Sequence, residues 1–304
     1  MFRSAWLALA LVGGLSSCLR ESPVGLLAMG GDPATFLEPL APDASYRFLV
    51  AGHTYGRHDA PAAGLFEPLL EAWTKPAAVA DARFVVLCGD AVVNPHPDNF
   101  EALDRDLARL GLPAFLAPGN HDTLKREDLP DVVSLRYERR RLAFRHGPDA
   151  FCVADTAKGG GNIGGADLAA VRELLAGEPR ALFVFLHHLV WVDERKVAAG
   201  EAPAGAVNGL VGYAQEGNFD TEVLPRLLAS SAQVILIAGD LGAGSDEVAS
   251  YERRGPNVHL LATGMGEHPG VGSWLSIEVS GEGIEIEVRG LGDEPLLTRH
   301  EIGF

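Results

Sequence analysis

Phe84-Val85-Val86-Leu87-Cys88-Gly89-Asp90 is an unbroken apolar run that ends in Gly-Asp. A strand buried on both faces of a parallel sheet reads this way, without the alternation of a strand half exposed to water. Asp90 comes directly after it, so its carboxylate needs water, a donor or a metal. Three other segments have the same form. Pro113 to Ala117 leads into Pro118-Gly119-Asn120-His121-Asp122, Val184-Phe185-Leu186 into His187-His188, and Val234-Ile235-Leu236-Ile237-Ala238 into Gly239-Asp240. Ligands of open α/β sheets bind in the crevice outside the carboxyl ends of the strands. Four strand ends bringing Asp, Asn, His and Asp to one edge make a site for a hard or borderline divalent metal.

The rest of the chain supplies the elements such sheets need. Tyr46 to Val50 predicts the first strand. Leu65 to Trp73 predicts a helix, with Pro68 confined to its first turn. Asn99 to Leu110 predicts another, with Phe100, Leu103, Leu107 and Leu110 on one face and Gly111 as its stop. Leu142 to Arg145 and Ala150 to Ala154 flank Gly147-Pro148-Asp149 and predict a hairpin. Asp167 to Leu175 and Thr221 to Leu228 read as helices, Ala181 to Leu186 and Gln233 to Ile237 as buried strands. Val258 to Ala262, Trp274 to Val279 and Ile284 to Val288 read as late strands, the last two alternating as antiparallel strands do. Ala198 to Gly217 is an Ala- and Gly-rich insertion without periodicity. Strand–helix alternation followed by a strand-rich end implies an α/β fold with two sheets.

The chain has 304 residues, 47% hydrophobic and 22% charged, enough for a large core. Its 41 Asp and Glu outweigh 25 Lys and Arg, which argues against a nucleic-acid-binding surface while leaving room for local cations in a pocket. Arg3 followed by the mostly apolar Ala5 to Leu15 reads as the core of a signal peptide, too short to span a bilayer. Leu15-Ser16-Ser17-Cys18 resembles a bacterial lipobox. The expected organisation is a signal peptide at 1–17, a lipidated Cys18 with a tether over 18–45, and one domain over 46–304. That places the domain on a membrane of the bacterial cell envelope without a spanning helix. Cys88 and Cys152 lie in apolar runs and read as small core residues.

The ordered motifs resemble those of the calcineurin-like metallophosphoesterases, whose pattern is Asp-x-His, Gly-Asp, Gly-Asn-His-Asp/Glu, His and Gly-His-x-His, each after a strand. The resemblance runs from about Tyr46 to the final strands. It implies a four-layer α/β sandwich, two mixed β-sheets packed face to face between helical layers. It implies Asp90 as the bridging metal ligand, Asn120 and His187 as further ligands, His121 as the imidazole near the scissile phosphate, and Asp122 as the residue orienting His121. Two motifs depart from the pattern. Gly52-His53-Thr54-Tyr55 puts His53 where Asp is expected and Tyr55 where His is expected. Gly239-Asp240-Leu241-Gly242 puts Asp240 and Gly242 in place of two histidines. Gly242 has no side chain, and neutral Tyr55 is a poor ligand. Asp90, Asn120, His187 and Asp240 remain as one full ligand set. His53 and Asp240 either exchange an imidazole and a carboxylate within one cavity or hydrogen-bond and close the first metal position.

Singly, each motif has a plainer reading: Asp90 as a turn cap, Gly-Asn as a turn, His187 as a structural histidine. His188 is expected to point away from His187 if the strand continues. His58 and His96 are candidates for the pocket rim, and His268 for a replacement ligand. The function implied is metal-dependent hydrolysis of phosphate mono- or diesters with one divalent ion (Mn²⁺, Zn²⁺ or Fe²⁺) per chain, acting on a phosphorylated small molecule or envelope component. The alternative is a non-catalytic member of the fold that binds a ligand or partner in the envelope.

Overall fold

The computed structural model describes residues 33, 37–41, 44–57, 59–123, 133, 141–203, 206, 217–242, 245–268, 270–291 and 296–304. Residues 1–17, Cys18, most of the tether, His58 and much of the insertion at 198–217 lie outside them.

Twelve strands form among the described residues. β1 (Tyr46–Ala51), β2 (Ala82–Leu87) and β3 (Ala114–Leu116) are the first three apolar runs. β4 (Leu142–His146) and β5 (Asp149–Val153) make the expected hairpin. β6 (Ala181–Leu186) and β7 (Gln233–Leu241) follow. Then come β8 (Ala249–Arg254), β9 (Val258–Gly264), β10 (Ser273–Val279), β11 (Gly283–Gly290) and β12 (Thr298–Gly303). They make two six-stranded mixed sheets, in the orders β12-β11-β10-β1-β2-β3 and β4-β5-β6-β7-β9-β8. β1, β2 and β3 run parallel in the first sheet, and β5, β6, β7 and β9 in the second. The remaining pairings are antiparallel.

The sheets face each other across an aromatic core. Phe48 and Phe84 of the first sheet stack at 4.9 Å, and Phe48 meets Phe183 of the second edge-on at 5.2 Å. Successive side chains of a strand point to opposite faces. Phe151, Phe183, Phe185, Ile235 and Ile237 therefore join the shared core, while Cys152, Leu182, Val184, Val234 and Leu236 form a second apolar cluster behind it. This second cluster takes Leu168, Val171 and Leu174, and also Phe219, Val223 and Leu227. Helices α1 (Glu67–Thr74), α2 (Pro76–Val79) and α3 (Pro97–Ala108) follow β1 and β2. α1 and α3 bury Leu69, Leu70, Trp73, Phe100, Leu103 and Leu107 in the main core. Later helices are α4 (Asn120–Thr123), α5 (Gly165–Ala176), α6 (Glu194–Ala199) and α7 (Leu224–Leu228), the last preceded by a π-turn at Phe219–Val223. Leu37 is buried in the main core, so the chain packs on the domain before β1 begins. Among the described residues no helix is long and apolar enough to cross a membrane.

At the amino ends of the parallel strands the sheets are clamped by charge. Tyr46 Oη donates to Asp149 Oδ2 at 2.8 Å, and Arg180 grips both Asp149 oxygens at 3.1 and 2.7 Å. Cys88 and Cys152 are buried, unbridged core residues, and burial pushes the Cys152 thiol up to about 12.

Three features depart from the sequence reading. β8 and β12 are edge strands whose polar sequences carry no alternation. α6 is a helix the sequence reading did not include, and it ends two residues into the apparent insertion. β7 runs on past Ile237 to Leu241, because the amides of Gly239 and Asp240 both donate to the carbonyl of His187 at 2.9 Å. Its register with β9 shifts between Ala238 and Leu241. Two residues facing one carbonyl make a bulge, a device that re-aims a side chain beside a site.

Candidate metal centre

Parallel strands share one carboxyl edge. The turns after β1, β2 and β3 therefore bring His53, Asp90 and Asn120 to the same place, and β6 and the bulge in β7 bring His187 and Asp240 from the other sheet. The two edges meet without spacing. A Cβ on Gly239 would lie 1.8 Å from the Cys88 carbonyl oxygen, and one on Gly52 2.1 Å from Gly239 Cα. A Cβ on Gly89 would lie 2.5 Å from the His187 ring. Glycine at these positions lets the backbones of the two sheets touch.

His53 and Asp90 both have left-handed backbone, at φ 54° and 51°. Such non-glycine conformations are uncommon, and they gather at functional sites. The two turns hold each other: the His53 amide donates to the Gly89 carbonyl at 3.0 Å and the Tyr55 amide to the Asp90 carbonyl at 3.2 Å.

His187 is the centre of the site. Its Nδ1–H donates to the Cys88 carbonyl at 3.2 Å. Its Nε2 then faces three oxygens: Asn120 Oδ1 at 2.9 Å, Asp90 Oδ1 at 3.4 Å and Asp240 Oδ1 at 3.9 Å. With Nδ1 as donor, a neutral ring presents a lone pair at Nε2. A lone pair surrounded by acceptor oxygens calls for a cation between them, and nitrogen with carboxylate and amide oxygen suits a borderline divalent metal. The second-ring nitrogen bonded to a backbone carbonyl is the usual way a metal-binding histidine is oriented. These residues fit the metal.

The electrostatics follow from burial. Burial opposes charging of His187, but the Asp90 and Asp240 carboxylates outweigh it and raise the imidazole above its ordinary range. Burial likewise opposes the Asp90 charge, and His187, His53 and His121 together bring it below the usual carboxylate range. Tyr55 is buried, and burial with the charges of Asp90, Asp240 and Asp122 pushes its phenol up, so it stays protonated. Its ring lies 4.5 Å from that of His53 and 5.2 Å from that of His121, walling the pocket. Gly242 has φ 98°, and a Cβ there would meet the Met265 carbonyl at 2.7 Å, so no side chain fits.

His121 is half-buried. Its amide donates to Asp90 Oδ1 at 3.0 Å and its Nδ1–H to the Val93 carbonyl at 2.8 Å. Val93, rather than Asp122, orients the ring. Asp122 Oδ1 accepts from the amides of Ala91 and Val92 at 2.9 and 3.0 Å, and Oδ2 from Gly119 at 2.8 Å. Asp122 thus ties the Gly-Asp turn to the Gly-Asn-His turn and reaches the imidazole only through the backbone. Burial and the Asp90 charge push its carboxyl up to about 6 against the pull of those amides.

His188 does not point away. β6 ends at Leu186, so alternation stops before it. Ligand atoms of His187, His188 and Asp240 all lie within 4.8 Å of one another, all three side chains buried. His188 Nδ1 lies 3.1 Å from Thr156 Oγ1, and burial and the neighbouring His187 push its imidazole down to about 4. The doubled histidine at the end of an apolar run was the available signal. A second group, His53, Asp90 and Asp240, meets the same 4.8 Å criterion. His96 and His268 have partners of their own. His96 caps α3 by accepting from the Asp98 amide at 3.2 Å. His268 is exposed and paired with Asp246 at 2.7 Å. A cleft of about 440 Å³ lined by Arg47, Asp81, Arg83 and Glu278 opens near the start of β1 and contains none of the site residues.

No family model matches the sequence, and no curated protein matches it. Solved structures match the fold. Purple acid phosphatase PPD1 from yellow lupin (Lupinus luteus) seeds superposes with a TM-score of 0.61 at 11% identity, over 86% of this chain and 54% of that one. A dimetal phosphatase from Danio rerio gives 0.53 at 12% identity, over 85% and 99%. PhoD gives 0.52 at 11% identity, over 88% and 70%. This chain spans about half the length of the lupin enzyme. At these identities the likeness is one of architecture. The chain has the metallophosphoesterase fold, an α/β sandwich of two mixed sheets, with a His/Asp cluster suited to a divalent metal at the shared strand edge.

Proposed function

We propose that this chain is a metal-dependent phosphoesterase, hydrolysing phosphate mono- or diesters with one resident divalent ion held by Asp90, Asn120, His187 and Asp240. The observation that carries the reading is the set of three oxygens around His187 Nε2 while Nδ1 is spent on the Cys88 carbonyl. A bound divalent ion supplies Lewis acidity toward a phosphoryl oxygen and its attacking water. The protein does the rest. His121, with Nδ1 fixed on Val93, is left with Nε2 as the atom that carries a proton to or from the reacting group. Its backbone bond to Asp90 fixes its distance from the ligand set. Tyr55 closes one wall against water.

His121→Ala should lower turnover by roughly 10²–10⁴-fold, the range for a lost general acid, with metal content unchanged. Asp90→Asn should remove both metal and activity. The comparison runs both variants against the parent on a panel of phosphomonoesters and diesters with Mn²⁺, Zn²⁺ and Fe²⁺ supplied. A parent inactive throughout, or variants equal to it, would replace this reading with a ligand-binding one.

The lipobox at Leu15 to Cys18 supports placing the domain on a membrane of the bacterial cell envelope through lipid on Cys18. Its substrate would then be a phosphorylated small molecule or envelope component. Mass spectrometry of membrane-extracted protein should find residues 1–17 absent and Cys18 acylated; an unmodified Cys18 would refute it.

A further inference from the structure

We propose that this chain binds a phosphate-sized oxyanion in a small cleft on the outward face of the first sheet, between Arg47, Lys75 and Arg289 and beside the indole of Trp274. The site is separate from the metal centre and does not depend on it.

The strands set the position. Arg47 alternates with Tyr46 and Phe48, which stack toward the aromatic core, so it stands on the other face of β1. Trp274 and Ser276 lie on that same face of β10, and Arg289 of β11 is opposite Trp274 in the register. Lys75 is at the corner between α1 and α2. These five residues line a cleft of about 150 Å³. Among the described residues that line it there is no carboxylate and no member of the metal centre. In a chain of formal charge −16, three cations gathered without an acid are a local reversal of sign.

The walls hold donors that lack acceptors. Trp274 is 4% exposed, and its Nε1–H has no acceptor among the described residues. Arg47 Nε is buried and likewise unpaired, while its Nη2 reaches the Ala77 carbonyl at 3.4 Å. Glu278 stands opposite Arg47 in the β1–β10 register, yet no carboxylate of the described residues pairs with Arg47 or Lys75. Arg289 is held differently: Glu287 accepts from its Nε at 2.9 Å, and its Cζ lies 5.7 Å from the centre of the Trp274 ring. Buried donors left unpaired are costly, and a ligand that only accepts relieves that cost.

The donor set defines the ligand. A guanidinium grips an oxyanion with two parallel bonds, an ammonium adds a point charge, and an indole N–H can only donate. A volume of about 150 Å³ is well below the roughly 300–1,000 Å³ of pockets for drug-sized ligands. Arg289 already covers the indole, and Trp73 meets it edge-on at 6.4 Å, so the ring is not offered for stacking on a base. The cleft therefore fits inorganic phosphate or the terminal phosphoryl group of a small monoester, and not a nucleotide.

The test uses the full-length protein, stripped with a chelator so that no metal draws the anion, and titrated with inorganic phosphate by isothermal calorimetry. The parent should bind one phosphate, more weakly as salt rises. Arg47→Gln should weaken binding by roughly 10-fold or more, the effect of losing a hydrogen bond to a charged group. Lys75→Gln, at an exposed position, decides the matter if Arg47→Gln does not fold, and should weaken binding in the same direction. Asp90→Asn should bind phosphate as the parent does. A parent that binds no phosphate, a folded Arg47→Gln that binds it equally well, or an Asp90→Asn variant that loses it overturns the site, the last by placing the anion at the metal centre. Glycerol 3-phosphate, run in the same way, should bind and compete with phosphate; a monoester that binds without competing would also overturn it.

Discussion

Gly239→Ala tests whether contact between the two sheets builds the metal centre. The added Cβ would lie 1.8 Å from the Cys88 carbonyl oxygen, 2.6 Å from its carbon and 2.7 Å from Cys88 Cβ. Ordinary contact needs 3.4 Å or more, so one backbone must move by roughly 1.5 Å, far more than side-chain repacking absorbs. Overpacking costs typically about 1–3 kcal/mol. Here the opposing atoms are backbone on both sides, so the upper end applies, about 3 kcal/mol. For a domain of this size that lowers Tm by roughly 6 °C. The Cys88 carbonyl is also the acceptor that orients His187, at 3.2 Å from Nδ1. Displacing it frees the imidazole, and loss of such an orienting bond weakens metal binding by roughly 10–100-fold. Urea unfolding and Mn²⁺ titration should therefore move together. Gly111→Ala is the control, because a Cβ there meets nothing within 4 Å. Its φ of 66° makes alanine cost about 1 kcal/mol, with metal affinity unchanged. A Gly239→Ala variant as stable as the parent and binding Mn²⁺ equally would refute the reasoning.

Asp149→Ala should cost roughly 3–5 kcal/mol in urea unfolding, since it leaves Arg180 and the Tyr46 hydroxyl without their shared acceptor. Mn²⁺ affinity should not change, because the clamp lies at the far end of the sheets; a parallel loss of metal would contradict that separation. Burial holds the imidazoles of His146 and His259 down at about 4. The unfolded chain therefore binds more protons than the native one between about pH 6.5 and 4, and stability falls as pH drops through that window, by up to roughly 3 kcal/mol for each histidine. His146→Gln should flatten the decline in urea midpoints between pH 7 and 4.5, and an unchanged slope would show that His146 does not contribute.

The fold was legible because its buried strands are uninterrupted apolar runs. Phe84 to Leu87, Val184 to Leu186 and Val234 to Ile237 are short, rich in β-branched and aromatic residues and bounded by Gly, Asp or His, which favours the interior of a sheet. β8 and β12 were not legible, because Ala249 to Arg254 and Thr298 to Gly303 are polar edge strands ordered by pairing with β9 and β11. At the site, the order of Asp90, Asn120, His187 and Asp240 along the chain was informative, and the structure brings all four to one point. Details set by backbone geometry were hidden. The bulge at Gly239 and Asp240 depends on a shared carbonyl that no residue pattern announces. His188 turns inward because β6 ends at Leu186, as its apolar run does, so the alternation of a continuing strand never reaches it. The Val93 carbonyl, and not Asp122, orients His121, and a backbone acceptor leaves no mark in the sequence.

His187 Nε2 and its surrounding oxygens are the proposed seat of a divalent cation. Anomalous X-ray diffraction at the manganese edge, from crystals grown with Mn²⁺, tests it most directly. A strong peak is expected about 2.0–2.3 Å from His187 Nε2 and within similar reach of Asp90, Asn120 and Asp240. No peak in the pocket at saturating Mn²⁺, or a peak bound elsewhere with His187 Nε2 still against Asn120, would contradict it.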